Sequence, residues 1–330
     1  MFMTPVDPPS PLSTTGTATS PPGLDVPRRR LTRRLAWAGM ALMLSVIVLS
    51  AFIRLSQSGL GCEDWPACYG PPLPEQLLRA SARTDASVVM ARLAHRVVAT
   101  ALLVLVLGLV LTTWGARPRR WGEVRLAAGL LLMTLALAAL GVVSSGAAAP
   151  AVVLGNLLGG FVTLALCWRL AVLTGPAPTP TAALRRWSWL ALALLLLQVA
   201  LGGAIGATYA ALACGGWTEC TRIALSAGWD WGVLNPWFSA TADTPALPQR
   251  GAWLQLLHRG GGLLLLPVLA AVGWSALRQG MRREALALVV LPLLLLVLGS
   301  LLGSAEFPLL QVLAHNLAAA LLLALLARLA

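Results

Sequence analysis

Long apolar stretches separated by short polar segments run along almost the whole chain, without the residue-by-residue alternation of half-buried strands or the broad polar faces of soluble helices. Stretches long enough for an α-helix to cross a hydrocarbon core fall at 35–53, 86–114, 126–143, 151–173, 187–207, 252–277, 285–302 and 307–326. The pattern predicts an all-α membrane protein of eight transmembrane helices. Residues 1–34 fall outside it. Their first part is rich in Pro, Ser and Thr and ends in the run Arg28-Arg29-Arg30-Leu31-Thr32-Arg33-Arg34, so the segment is expected to be a disordered cytoplasmic tail with an arginine cluster. No small-residue cleavage site follows the first apolar stretch, which is therefore expected to be a retained helix.

Composition sharpens this picture. Apolar residues make up 58% of the 330 residues and charged ones only 11%, a balance that excludes an ordinary soluble domain. All 24 basic residues are arginine, against 12 acids, for a formal charge of +12. Short loops rich in arginine stay in the cytoplasm. With the amino terminus inside, 16 arginines fall on the cytoplasmic side, and the other eight share the outer side with eight acids. The charge thus reads as a topology signal that puts both termini in the cytoplasm, and nucleic-acid binding is not needed to explain it. The lack of an amphipathic transit segment favours the bacterial inner membrane over mitochondria.

The two halves, 35–175 and 187–328, resemble each other as duplicated four-helix units. Cys62 and Cys68 recur in the same spacing as Cys214 and Cys220, each pair in the first outer loop of its half and each with a Trp three positions after its first Cys (Trp65, Trp217). The second and sixth spans share His95-Arg96 and His258-Arg259. The fourth and eighth share the neighbourhoods of Asn156 and His315.

Those three histidines are the only ones in the chain, and all lie inside apolar spans, where an ionisable group is costly and faces a bundle interior. At 1.5 Å per residue they sit about 9 to 14 Å from the outer ends of their helices. Imidazoles at matched depth on different helices can grip a haem iron from both faces, and His258 with His315 makes such a pair. The plainer reading is a set of interhelical hydrogen bonds. Zinc is disfavoured, because no other ligand stands at metal spacing near them. Arg96 and Arg259 follow histidines directly and suit haem propionates, or else snorkel to the interface. The outer cysteine pairs are expected to close as disulfides; a redox role for them remains the competing reading. Cys167 reads as a small buried apolar residue, and Gln198, Gln255 and Gln311 as hydrogen-bond formers between helices.

The segment Arg54-Leu-Ser-Gln-Ser-Gly-Leu-Gly-Cys-Glu-Asp-Trp-Pro-Ala-Cys-Tyr-Gly70 resembles the first outer loop of the haem A synthase (CtaA-type) family, and Gln198-Val-Ala-Leu-Gly-Gly203 with Tyr209-Ala-Ala-Leu-Ala-Cys214 resembles its second. The resemblance spans about residues 35–328. It implies an eight-helix oxidoreductase that converts the methyl group of haem O to the formyl group of haem A for terminal oxidase assembly. It also implies haem b as cofactor, haem O as substrate, and a haem O synthase and the oxidase assembly machinery as partners. By the same resemblance His258 and His315 hold haem b, His95 holds the substrate haem, and the cysteine pairs are loop disulfides. Two positions depart from the family pattern: Asn156 stands where a second first-half histidine is expected, and Arg92 where a carboxylate is expected. Those departures leave open a non-catalytic reading, a haem b-binding assembly or electron-transfer protein. A quinone-linked thiol oxidoreductase working through the outer cysteines is a third.

Overall fold

The computed structural model describes residues 25–57, 60, 86–116, 118–143, 149–175, 178–226, 228–237, 248–302 and 308–330. Eight of its helices are long and apolar enough to cross a membrane. They are α1 (Asp25–Gln57), α2 (Ala86–Trp114), α3 (Trp121–Val143), α4 (Pro150–Leu173), α5 (Ala182–Ala207), α7 (Pro248–Arg278), α8 (Arg282–Leu301) and α9 (Pro308–Leu329). A short helix, α6 (Trp217–Ser226), lies between α5 and α7. No strand occurs among the described residues.

Most helices extend beyond the apolar stretches. Hydropathy marks only the part that must lie in hydrocarbon, whereas the backbone gains helical hydrogen bonds into the polar interface as well. The largest difference corrects the amino-terminal expectation: residues 25–34 are the first turns of α1 and not a tail. Arginine is a good helix former. These turns are also anchored, since Arg28 donates to the Gly115 carbonyl and Arg29 Nη2 to that of Leu173 at 3.1 Å, with Glu123 paired to Arg29 at 3.5 Å. Residues 1–24 lie outside the described set, as do Cys62 and Cys68.

Packing follows a regular scheme. Helix α1 packs on α2 and α4, and α3 packs on the same two, closing a ring of four; α5 packs on α7 and α9, and α8 on the same two, closing another. The rings meet where α4 lies against α9 and α5, and α1 against α9. In keeping with this position, α4 and α9 are the most buried spans. Close approach without a hydrophobic driving force requires small side chains. Helix α9 supplies buried Ala318, Ala319, Ala320, Ala324 and Ala327 along its length. At the α4–α5 contact, a Cβ on Gly203 would come within 2.7 Å of Leu157 Cδ2.

The end carrying most of the arginines is tied across helices. Arg169 Nη1 of α4 donates to the Ala327 carbonyl at 2.7 Å, and Arg328 pairs with Glu284. Arg119 lies 4.7 Å from the Trp114 ring centre and Arg278 5.1 Å from that of Trp274, so these cations sit on aromatic faces at the interface level.

A Gly203→Leu substitution should destabilise the protein by about 1–3 kcal/mol through overpacking at the α4–α5 contact. Gly262→Ala, at a helical glycine with nothing within 4 Å of its added Cβ, should be neutral. Thermal denaturation in detergent separates the two.

Candidate functional site

Helices α7 and α9 bring His258 and His315 together, with ring centroids 6.3 Å apart and planes inclined at 61°. For two imidazoles bound to one metal from opposite sides, with metal–nitrogen bonds of about 2 Å and ring centres about 1 Å beyond each nitrogen, the expected separation is about 6 Å. Such a pair sets no fixed angle between the two ring planes, so the 61° inclination is compatible with it. His258 Nδ1 lies 3.1 Å from the Gln198 carbonyl of α5. In the tautomer that donates this bond, the lone pair is left on Nε2, the arrangement that orients a metal-binding histidine.

Around the two rings, several buried polar atoms have no hydrogen-bond partner among the described residues. His315 Nδ1, Gln311 Oε1 and Gln198 Oε1 are all of this kind; the Leu295 carbonyl of α8 flanks the His315 ring without bonding Nδ1. Gln311 precedes His315 by one helical turn, and Gln198 is the residue whose carbonyl holds His258. Buried polar atoms are normally satisfied, and a cluster left open at one level of a bundle suits a bound group with polar edges. Backbone shape supports the same place: a Cβ on Gly202 would fall 2.8 Å from His258 Cε1, so the ring can sit there only against a glycine. Residues Gly202 and Gln311 were not legible as site residues in the sequence, because a glycine or glutamine in an apolar span carries no spacing signal.

The corresponding positions of the first ring are arranged differently. His95 of α2 and Asn156 of α4 are half-buried, as His258 and His315 are, but Arg92 and Arg96 beside His95 are exposed, whereas Arg259 beside His258 is half-buried. No hydrogen bond among the described residues joins His95 to Asn156. Counted from the first residue of each helix, His95 is nine residues along, His258 ten and His315 seven, which is about 10 to 15 Å of rise.

Above the histidine pair lies a cap that the apolar pattern missed. Cys214 and Cys220 form a disulfide, closing the turn before α6, and Glu219 accepts from the Gly215 backbone N–H at 2.8 Å. Arg259 Nη1 reaches Cys220 Sγ at 3.8 Å, so this arginine tracks from the His258 level to the disulfide. Gln255, buried one turn before Arg259, donates to the carbonyls of Ala210 and Ala211 at 3.1 Å each, bonding a connecting loop where an interhelical bond was expected. Gln198 and Gln311 depart further from that expectation, since their side-chain oxygens are unpartnered. Cys167 is free and buried, as expected.

Residues 33–327 match the sequence profile of the cytochrome oxidase assembly proteins. The chain belongs to that family. Within it, the chain is 29% identical to the haem A synthase of Shewanella oneidensis over 315 residues, covering 85% of this chain and 90% of that protein. The matched range extends over both helix rings.

The cap offers a pH test. Asp230 accepts from the Gly232 backbone N–H at 2.8 Å and from Arg250 Nε at 2.6 Å, and these bonds, the backbone one foremost, hold its carboxyl below the ordinary carboxylate range. A carboxylate with a depressed value stabilises the fold at neutral pH, and that contribution is lost as pH falls through the lowered value. Limited proteolysis across residues 228–237 should therefore accelerate below the ordinary carboxylate range. An Asp230→Asn variant should be cleaved faster at neutral pH and show little further change on acidification.

Proposed function

We propose that the protein is a membrane oxidoreductase of the haem A synthase type, which converts the methyl group of haem O to the formyl group of haem A for terminal oxidase assembly. The balanced change takes oxygen from water and releases four protons and four electrons from the methyl carbon, and those electrons must pass through a redox group in the bundle to an oxidant outside the chain, such as oxygen or a membrane quinone. A haem b held by His258 and His315 would supply that redox group, passing electrons one at a time. The observation that carries this reading is the 6.3 Å separation of the two rings, set among unpartnered polar atoms.

In this reading His95 holds the substrate haem, and Arg96 and Arg259 attract propionates, since guanidinium binds carboxylate through two parallel bonds. Gln198 fixes the His258 ring by its carbonyl and Gly202 gives the ring room. The matched packing rings support a duplicated pair of four-helix units, 35–175 and 187–328. The arginine-rich end faces the cytoplasm with both termini, in the bacterial inner membrane, and a haem O synthase and the oxidase assembly machinery are the partners. The Cys214–Cys220 disulfide is structural.

Asn156 and Arg92 favour a second reading. An amide is a poor iron ligand beside imidazole, and an arginine cannot act as a carboxylate at the reacting carbon. If those two side chains abolish turnover, the protein is a haem b-binding assembly or electron-transfer protein.

Extracting the haems from protein purified from cells that make haem O decides between them. Haem A together with haem b is expected for the enzyme, and haem b alone for the second reading. No haem at all would overturn both and bring the thiol oxidoreductase forward. Under either haem reading, Gly202→Val should cost most of the bound haem b, because the new side chain occupies the space of the His258 ring, whereas Gly262→Ala should retain it; absorbance at the haem band against protein mass measures both.

A further inference from the structure

At the arginine-rich end, two clefts adjoin where the helix rings meet. One, about 280 Å³, is walled by Arg33 and Trp37 of α1, Trp168 of α4, Arg283 of α8 and Arg328 of α9; the other, about 480 Å³ and more open, is lined by Arg30, Arg33, Arg34 and Trp37. Arg33 and Trp37 belong to both. Two glutamates of this end are already engaged, Glu123 with Arg29 and Glu284 with Arg328. Arg30, Arg33, Arg34 and Arg283 have no acidic partner among the described residues. Trp37 and Trp168 stand side by side, ring centroids 6.1 Å apart, so the floor is aromatic while the rim is cationic.

We infer that these clefts hold one anionic phospholipid with two phosphodiester groups, of the diphosphatidylglycerol kind, seated across the seam between the two helix rings. Each cleft offers an unpaired arginine of its own in addition to the shared Arg33, enough to meet two phosphates through forked bonds. Basic recesses between membrane helices, at the level where the apolar span gives way to arginine, suit such headgroups, and acyl chains can continue along the neighbouring apolar surfaces. A soluble phosphate would gain nothing from the aromatic floor. Because the small cleft draws its walls from α1, α4, α8 and α9, the bound lipid would tie both rings together.

Native mass spectrometry of the full-length protein, titrated with diphosphatidylglycerol, phosphatidylglycerol and phosphatidylcholine, tests this. The expected order of occupancy is the order given, with phosphatidylcholine indistinguishable from background. An Arg33→Gln/Arg283→Gln double variant, which removes two charge-assisted pairs, should bind diphosphatidylglycerol at least about tenfold more weakly. Arg278→Gln should leave binding unchanged, since Arg278 lies on the same end but against Trp274. Should the double variant fail to fold, Arg283→Lys, which keeps the charge and loses the fork, must still weaken binding severalfold. Equal weakening by Arg278→Gln would overturn the site in favour of diffuse surface charge. Displacement of the lipid by millimolar inorganic phosphate would overturn the lipid assignment.

Discussion

An imidazole ring about a third of the way into a membrane cannot be left facing hydrocarbon, and most of the second helix ring can be understood from how two such rings are accommodated. His258 has its Nδ1 on the Gln198 carbonyl, its Cε1 against Gly202, and the ring of His315 opposite it. Each of these requires a particular helix at a particular distance. Helix α5 must approach α7 closely enough for a backbone carbonyl to reach the ring, so a glycine stands where a larger residue would clash. Helix α9 must lie across from α7 at the same level, and its alanine-rich length lets it do so while packed against α4.

The same physics explains why the two helix rings are alike in packing and unlike in chemistry. Contacts among α1 to α4 repeat those among α5, α7, α8 and α9, because the apolar and small residues that set helix spacing are present in both. The polar positions differ. Where α9 carries His315, α4 carries Asn156, and where α7 has Gln255 bonded into a loop, the neighbourhood of His95 has exposed Arg92 and Arg96. A bundle can keep its shape through such changes, since its stability rests on packing. The chemistry it hosts cannot, because that depends on which atoms face the interior.

Much of this was legible in the sequence. The eight spans followed from hydropathy, and α2 fell at 86–114, as its apolar run indicated. Helix ends were harder to read, since arginine and tryptophan at the interface belong to the helix without contributing to the apolar signal. That is why residues 25–34 were read as tail when Arg28 and Arg29 are docked on neighbouring helices. Helix α6 carried too short a pattern to register. The histidine pair was readable from rarity and depth; its support from Gln198 and Gly202 was not, because a backbone carbonyl and a missing side chain have no sequence signature. The Cys214–Cys220 disulfide was readable from spacing, whereas the contact between Arg259 and Cys220 depended on the folded geometry.

The proposed haem b site requires His258 and His315 to share one iron. Electron paramagnetic resonance of the oxidised, full-length protein tests this most directly, since ferric iron between two imidazoles gives a low-spin signal distinct from that of iron with one. Such a signal is expected, lost in His315→Ala and in His258→Ala and retained in His95→Ala. A bis-imidazole signal that survives His315→Ala, or that disappears with His95→Ala alone, would contradict it.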